Sequence, residues 1–143
     1  MKYALIIFIT AFASSCDSSE ENEIVKDISG TWSLTKIWMN SSMVNPEPPT
    51  ESIYSKIIIE FPDSLANSVS GNTFMNSIWV QFLIEDDLIN FSNYGGSRIA
   101  EDPIGDEFKE HILSSTNFSL NDENLLLYDD NGVNVLIFKK EIK

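Results

Sequence analysis

The sequence predicts a mainly β protein, a small antiparallel barrel-like sheet with one amphipathic helix inserted before the last strands. Three observations predict it. Apolar and polar residues alternate over several short stretches, as in half-buried strands. Turn-forming pairs such as Asp86-Asp87 and Asn131-Gly132 punctuate those stretches. Only one segment, residues 104–114, repeats its apolar residues every four positions. Many short strands and few helices point to a sheet that curves strongly on itself.

The first strand is expected over residues 28–38, with Trp32, Leu34 and Trp38 on one face. Asn40 to Ser52 contains Pro46, Pro48 and Pro49, which lack the backbone donor a sheet interior needs, so a long loop is expected there. Residues 54–61 follow as a strand in which Ile57, Ile59 and Phe61 alternate with Lys56, Ile58 and Glu60. Residues 77–85 and 88–92 make a hairpin, with Ile78, Val80, Phe82 and Ile84 on one face and Asp86-Asp87 at the turn.

Gly95-Gly96 then punctuates the chain before a short strand expected around Ser97 to Ala100. Asp102-Pro103 is a helix entry, because Asp caps free amides and Pro suits the first helical position. Ile104, Phe108 and Ile112 place the apolar stripe of that helix against the sheet. Strands return at Asn117 to Leu120, Asn124 to Tyr128 and Val133 to Glu141, the last two joined through Asp129-Asp130-Asn131-Gly132.

The N-terminal segment has a different logic. Lys2 precedes an apolar run from Tyr3 to Ala13 and then small residues, the order of a secretory signal, so residues 1–15 are expected to be removed. The run is well short of the roughly twenty residues that a spanning helix needs. Ala13-Ser14-Ser15-Cys16 resembles a lipobox, with Ala where Leu is commonest, and makes Cys16 the expected lipidation site. Cys16 is the chain's one cysteine, so no intramolecular disulfide can form. Acyl chains there would attach the protein to a membrane, at about 0.8 kcal/mol for each buried methylene.

Residues 16–27 read as a lipidated cysteine and an acidic tether, since Asp17-Ser18-Ser19-Glu20-Glu21-Asn22-Glu23 has nothing apolar to bury. An acidic run at this place also resembles the surface-export signal of Bacteroidetes lipoproteins. The expected location is therefore the cell envelope, as an outer-membrane lipoprotein with its face, periplasmic or outer, left open. Residues 28–143 are left as one domain, long enough for a hydrophobic core. The formal charge is −13, and −14 once Lys2 is removed, which argues against nucleic acid or an anionic lipid surface as partner.

From Gly30 to about Lys140 the chain resembles the META domain of the heat-shock protein HslJ type. The resemblance rests on Gly30-Thr31-Trp32, an extended segment ending in Phe61, Ser70-Gly71, Met75-Asn76, Ser97-Arg98-Ile99-Ala100, Glu107-Phe108, Leu125 to Tyr128 and Val135 to Phe138. Two family cysteines are replaced here, by Met75 and Glu101, so any role of theirs does not carry over. The resemblance implies a barrel-like fold in envelope proteins and no established catalysis. Gly30-x-Trp32 is also the lipocalin opening. A lipocalin-like carrier of a small apolar ligand is the alternative, and it needs a cavity lined by residues such as Trp32, Ile57, Val80 and Phe82.

No catalytic constellation emerges. His111 is the single histidine, read as a surface or helix-flank residue, and one histidine does not make a three-ligand zinc site. No Gly-rich phosphate loop is present, and no cofactor or metal is expected. Asp129 to Gly132 lacks the alternating acids and closing glutamate of a calcium loop and reads as a turn. Glu85, Asp86 and Asp87 read as a solvated turn. Asp63-Ser64-Leu65 resembles the Bacteroidetes O-glycosylation tripeptide.

Three residues stand out as contacts for a ligand or an unknown protein partner. Arg98 is the only arginine, with a structural salt bridge as its plainer role. Trp38 and Trp79 are aromatics suited to a partner surface, with membership of the core as the plainer role. The expected function is that of a non-enzymatic binding or interaction module.

Overall fold

The computed structural model describes residues 28–64 and 66–142. Cys16, the signal and the tether lie outside the described residues, as does Leu65 of the tripeptide. Nine strands form a single antiparallel sheet. They are β1 (Gly30–Met39), β2 (Ser42–Val44), β3 (Ile58–Phe61), β4 (Ser68–Asn72), β5 (Ser77–Glu85), β6 (Leu88–Gly96), β7 (Asn117–Leu120), β8 (Asn124–Tyr128) and β9 (Val135–Lys140). One helix, α1 (Pro103–Ser114), lies between β6 and β7. The strand order is β2-β1-β3-β4-β5-β6-β7-β8-β9, and β1 pairs with β9 as well, so the sheet closes in a ring with β2 attached to β1.

β1 enters beside the core: Ile28 is fully buried, and the Trp32 indole Nε1 donates to its carbonyl at 2.7 Å. Trp32 and Leu34 face inward as expected, but Trp38 does not share their face. A register shift between Leu34 and Lys36 makes Ile37, paired with Leu136, the next inward residue. Strict alternation would have turned Lys36 into the apolar interior; the extra residue turns it out. Thr35 Oγ1 donates to the Ile137 carbonyl across this irregularity at 3.0 Å.

The expected loop from Asn40 to Ser52 contains β2, because Asn40 and Ser41 both adopt positive φ (52° and 63°). That is the geometry of a tight two-residue hairpin, and it returns Ser42–Val44 against Ile37–Met39 before the prolines begin. β4 has Val69 as its one large apolar inward residue, which is why alternation did not mark it as a strand. Gly71 belongs there by sterics: a Cβ would lie 2.1 Å from the Ile58 carbonyl oxygen on the neighbouring strand.

The β5–β6 hairpin turns at Asp86-Asp87 with Asp86 at φ 54°. Ile78, Val80 and Phe82 face the core, while Ile84 is partly buried against it. β6 runs on to Gly96, so Gly95-Gly96 lies inside a strand, and Ser97 to Ala100 is not a strand. Near its end β6 carries a bulge opposite Trp79 to Gln81, with Asn93 at φ 52°.

α1 begins as expected. Asp102 Oδ1 accepts from Ile104 N at 2.9 Å and Gly105 N at 3.3 Å, and Pro103 fills the first position. Phe108 and Ile112 are buried, and the Phe108 ring meets Phe138 of β9 edge-on at 6.4 Å. Inside the ring, Phe61 and Phe82 make a second edge-to-face pair at 5.1 Å. Each such fully buried side chain contributes about 1.5–3 kcal/mol relative to exposure. The β8–β9 turn is held by Asp129, whose Oδ1 accepts from Val133 N and Asn134 N, with Gly132 at φ 65°.

The close approach at Gly71 gives a direct test. Gly71→Ala should lose about 1–3 kcal/mol, because the obstructing atom is backbone and cannot swing aside. A lower urea midpoint with an unchanged m-value is the expected reading; an unchanged midpoint would refute the steric account.

Candidate functional site

The three residues singled out from the sequence fall in two places. Trp38 is half-buried near the end of β1, across from Met43, and its carbonyl receives a bond from the helix. Trp79 is 48% exposed on the outer face of β5, rather than in the core. Arg98 is exposed in the segment after β6 and makes no ion pair among the described residues. Gly95 pairs with Trp79, and Ser97 N donates to the Ser77 carbonyl, so the segment carrying Arg98 leaves the sheet at the start of β5, near Trp79. Trp38 stands apart, with β3 and β4 between β1 and β5 in ring order.

A buried polar knot holds that segment. Asn76 is only 3% exposed, and its Oδ1 accepts from Ile99 N and Ser97 Oγ, each at 2.9 Å. Its Nδ2 donates to the Ile99 carbonyl at 2.8 Å and to Glu101 Oε1 at 2.6 Å. One side chain thus takes both backbone groups of Ile99, replacing the strand partner that this stretch was expected to have. The Thr73 hydroxyl, fully buried, donates to Glu101 and accepts from Asn76 N at 2.9 Å. Glu101 in turn packs against Gly105, where a Cβ would sit 2.3 Å from Oε2.

Behind the knot lies Tyr94, whose buried hydroxyl has no hydrogen-bond partner among the described groups. Burial pushes its phenol well above the ordinary value, and the carboxylates of Glu101 and Asp106 push it further. The Lys109 ammonium lies 5.3 Å from the ring centroid, over its face.

His111 is buried at 3% exposure, contrary to its reading as a surface or flank residue. Its Nε2 lies 2.6 Å from the Trp38 carbonyl oxygen, which can only accept, so Nε2 carries a proton. Glu107 Oε1 is 3.6 Å from the same nitrogen. The histidine ties α1 to β1 just past the bulge and has no nucleophile beside it in these contacts. No group of three or more His, Cys, Asp or Glu side chains among the described residues could hold a metal ion. Glu85, Asp86 and Asp87 are exposed at their turn.

On the outer surface an open groove of about 390 Å³ is lined by Thr31, Tyr54, Lys56, Ile58, Asn72 and Glu141 among others. Lys56 Nζ donates to Glu141 Oε1 at 2.8 Å, and this bond holds the Glu141 carboxyl below its ordinary value. The Tyr54 and Ser77 hydroxyls are 2.7 Å apart, so the groove reaches β5 two residues before Trp79. Sequence reasoning missed this groove and the polar knot. Asn76, Ser97, Ile99 and Glu101 lie at positions that carry the family resemblance, but more than twenty residues separate the two halves of the knot, so the sequence did not show that they meet.

Two solved structures share this architecture. A protein from Burkholderia xenovorans, determined by NMR, is 18% identical with a TM-score of 0.63, over 85% of this chain and 87% of that one. A crystal structure of a DUF4847 family protein from Bacteroides vulgatus is 16% identical with a TM-score of 0.62, over 86% of this chain and 99% of that one. At these identities the likeness is one of fold, and it does not bear on the META resemblance. No protein-family model and no curated protein matches the sequence.

Two tests follow from the knot. Asn76→Ala strands both backbone groups of Ile99, costing about 1–3 kcal/mol, and should speed tryptic cleavage after Arg98 in the folded protein. An unchanged cleavage rate would mean that Asn76 does not hold the segment. Tyr94 gives a pH signature. The folded state keeps the phenolic proton where the unfolded chain loses it, so stability is full below the ordinary value of about 10 and falls as pH rises beyond it. Tyr94→Phe should be no less stable near neutrality and should lose less melting temperature than wild type above pH ~10. Parallel losses in the two proteins would show that Tyr94 is not the titrating group.

Proposed function

We propose that this protein is a lipid-anchored cell-envelope protein whose META-like β domain works as a non-enzymatic binding or interaction module. The observation that carries this reading is the burial of the inward-facing side chains in one core. Trp32, Ile57, Val80 and Phe82, which a lipocalin-like carrier would need around a hollow, belong to one packed core with exposures of 8% or less. Recognition is therefore assigned to the outer surface, where Trp79, Arg98 and the Tyr54 groove stand. The one histidine is occupied in a structural bond to Trp38, which supports a role other than acid–base catalysis.

Anchoring rests on the Lys2-to-Ala13 signal pattern, the lipobox ending at Cys16 and the acidic stretch after it. No helix among the described residues is long and apolar enough to cross a membrane, and the proposed attachment runs through acyl chains instead. The location proposed is the outer membrane of the cell envelope. Its acidic charge favours partners that are neither nucleic acid nor anionic lipid.

In the native host, wild-type protein should remain with membranes through a high-salt wash, while Cys16→Ser should move to the soluble fraction. Sedimentation of Cys16→Ser with washed membranes would overturn the anchoring.

A further inference from the structure

We propose that the outer face of β4, β5 and β6 around Trp79 is a binding site for a neutral oligosaccharide. The inference rests on the binding-module reading above and names the ligand class for its surface.

Trp79 is nearly half exposed yet firmly seated. A Cβ on Gly95, its partner across the hairpin, would lie 2.5 Å from the indole Cε2 and Cζ2 atoms. The ring therefore rests on bare backbone and leaves its other side to solvent. A flat aromatic surface fixed in this way packs against the C–H bonds of a sugar ring, whose weakly positive hydrogens meet the negative π face.

The side chains sharing this outer face supply the second requirement. Ser70 stands directly across from Trp79 on β4, and Ser92 stands across from Gln81 on β6. Asn93, turned by the bulge into positive φ, donates through Nδ2 to Gln81 Oε1. The pairing leaves the Asn93 carbonyl oxygen and the Gln81 amide nitrogen for other partners. A fixed acceptor next to a fixed donor matches neighbouring hydroxyls on a sugar.

Charge sets the ligand class. The protein carries 22 acidic residues in 143, yet the outward residues beside Trp79 on these strands, Ser70, Ser77, Gln81 and Ser92, are uncharged; acids stand further out, Glu60 across from Ser70 on β3 and Glu85 at the end of β5. An uncharged centre of this face on so acidic a molecule suits a neutral, hydroxyl-rich ligand. A protein partner is disfavoured, because exposed Trp79 and Leu83 are separated by Gln81 and form no continuous apolar centre. β5 is paired on both sides, so it offers no free edge to an added strand. Trp79 lies two residues, about 7 Å of strand, from Ser77 at the Tyr54 groove. The groove gives a second sugar unit somewhere to lie, so oligosaccharides should bind better than their monosaccharides.

The test uses full-length, detergent-solubilised protein on an array of neutral oligosaccharides, followed by native gels cast with starch, xylan, galactomannan or β-glucan. Wild type should bind at least one member and be retarded in the corresponding gel. Trp79→Ala should weaken binding about tenfold, Trp79→Phe should restore most of it, and Gln81→Ala should reduce it with the fold intact by circular dichroism. Absence of wild-type binding throughout, or equal binding by wild type and Trp79→Ala, overturns the proposal. A Trp79-dependent cross-link to an envelope protein without glycan binding also overturns it and leaves the binding-module reading standing. Release of new reducing ends from a bound glycan would instead overturn the non-enzymatic reading.

Discussion

Closure of the sheet through β1 and β9 is the constraint on which the rest of this structure depends. Trp32 to Leu34 pair with Lys140 to Phe138, and Lys36 and Ile37 pair with Ile137 and Leu136, so the last strand of the chain seals against the first. On its other side the same β1 pairs with β3 through Gly30 to Ser33 and with β2 through Ile37 to Met39. The closed ring leaves unpaired edge in two places, three-residue β2 and the length of β6 beyond Leu88, whose single pair with Asn117 is all that joins it to β7. Closure also sets which side chains face inward, and the irregularity between Leu34 and Lys36 is how β1 meets that demand without burying a lysine.

The interior that closure creates is occupied by aromatic and branched side chains from β1, β3, β5, β6, β8, β9 and α1. Chemistry is thereby displaced to two sorts of place: rims where loops fold back, and the outward rows of the strands. The knot of Thr73, Asn76 and Glu101 belongs to the first sort. It spends its polar groups on each other and on the backbone of Ile99, which makes it a brace for the segment entering α1. The Trp79 row belongs to the second, and nothing in its own strand pairing demands an aromatic residue there.

The fold was largely legible, because alternation and turn chemistry are local. β5, β8, β9 and the helix announced themselves through Ile78 to Phe82, Asn131-Gly132 and Asp102-Pro103. β2 and β4 were hidden, since three residues and a single Val69 carry no period. Ser97 to Ala100 looked extended, and the backbone of Ile99 is indeed bonded, but to the side chain of Asn76, which no pattern along the chain reveals. Trp38 was assigned the face of Trp32 because a bulge inverts the period without leaving a mark in composition. His111 looked peripheral because its partner, the Trp38 carbonyl, lies 73 positions away. The candidate site was the least legible part: Trp79 could be named, but its exposure depends on Gly95, and its neighbour across the ladder, Ser70, depends on register.

Because β1 and β9 run side by side in opposite directions, the start of the first strand and the end of the last meet at one end of the ring. Gly30 lies against Lys140, close enough that a Cβ would touch its Cε at 3.4 Å, and Glu141 N donates to the Thr31 carbonyl. The order in which the strands are threaded is thus separable from the order in which they stand. A circularly permuted chain, joined between Ile142 and Ile28 and opened at Asp86-Asp87, would keep the strand order of the ring, with the new ends beside the Leu88–Asn117 pair that joins β6 to β7.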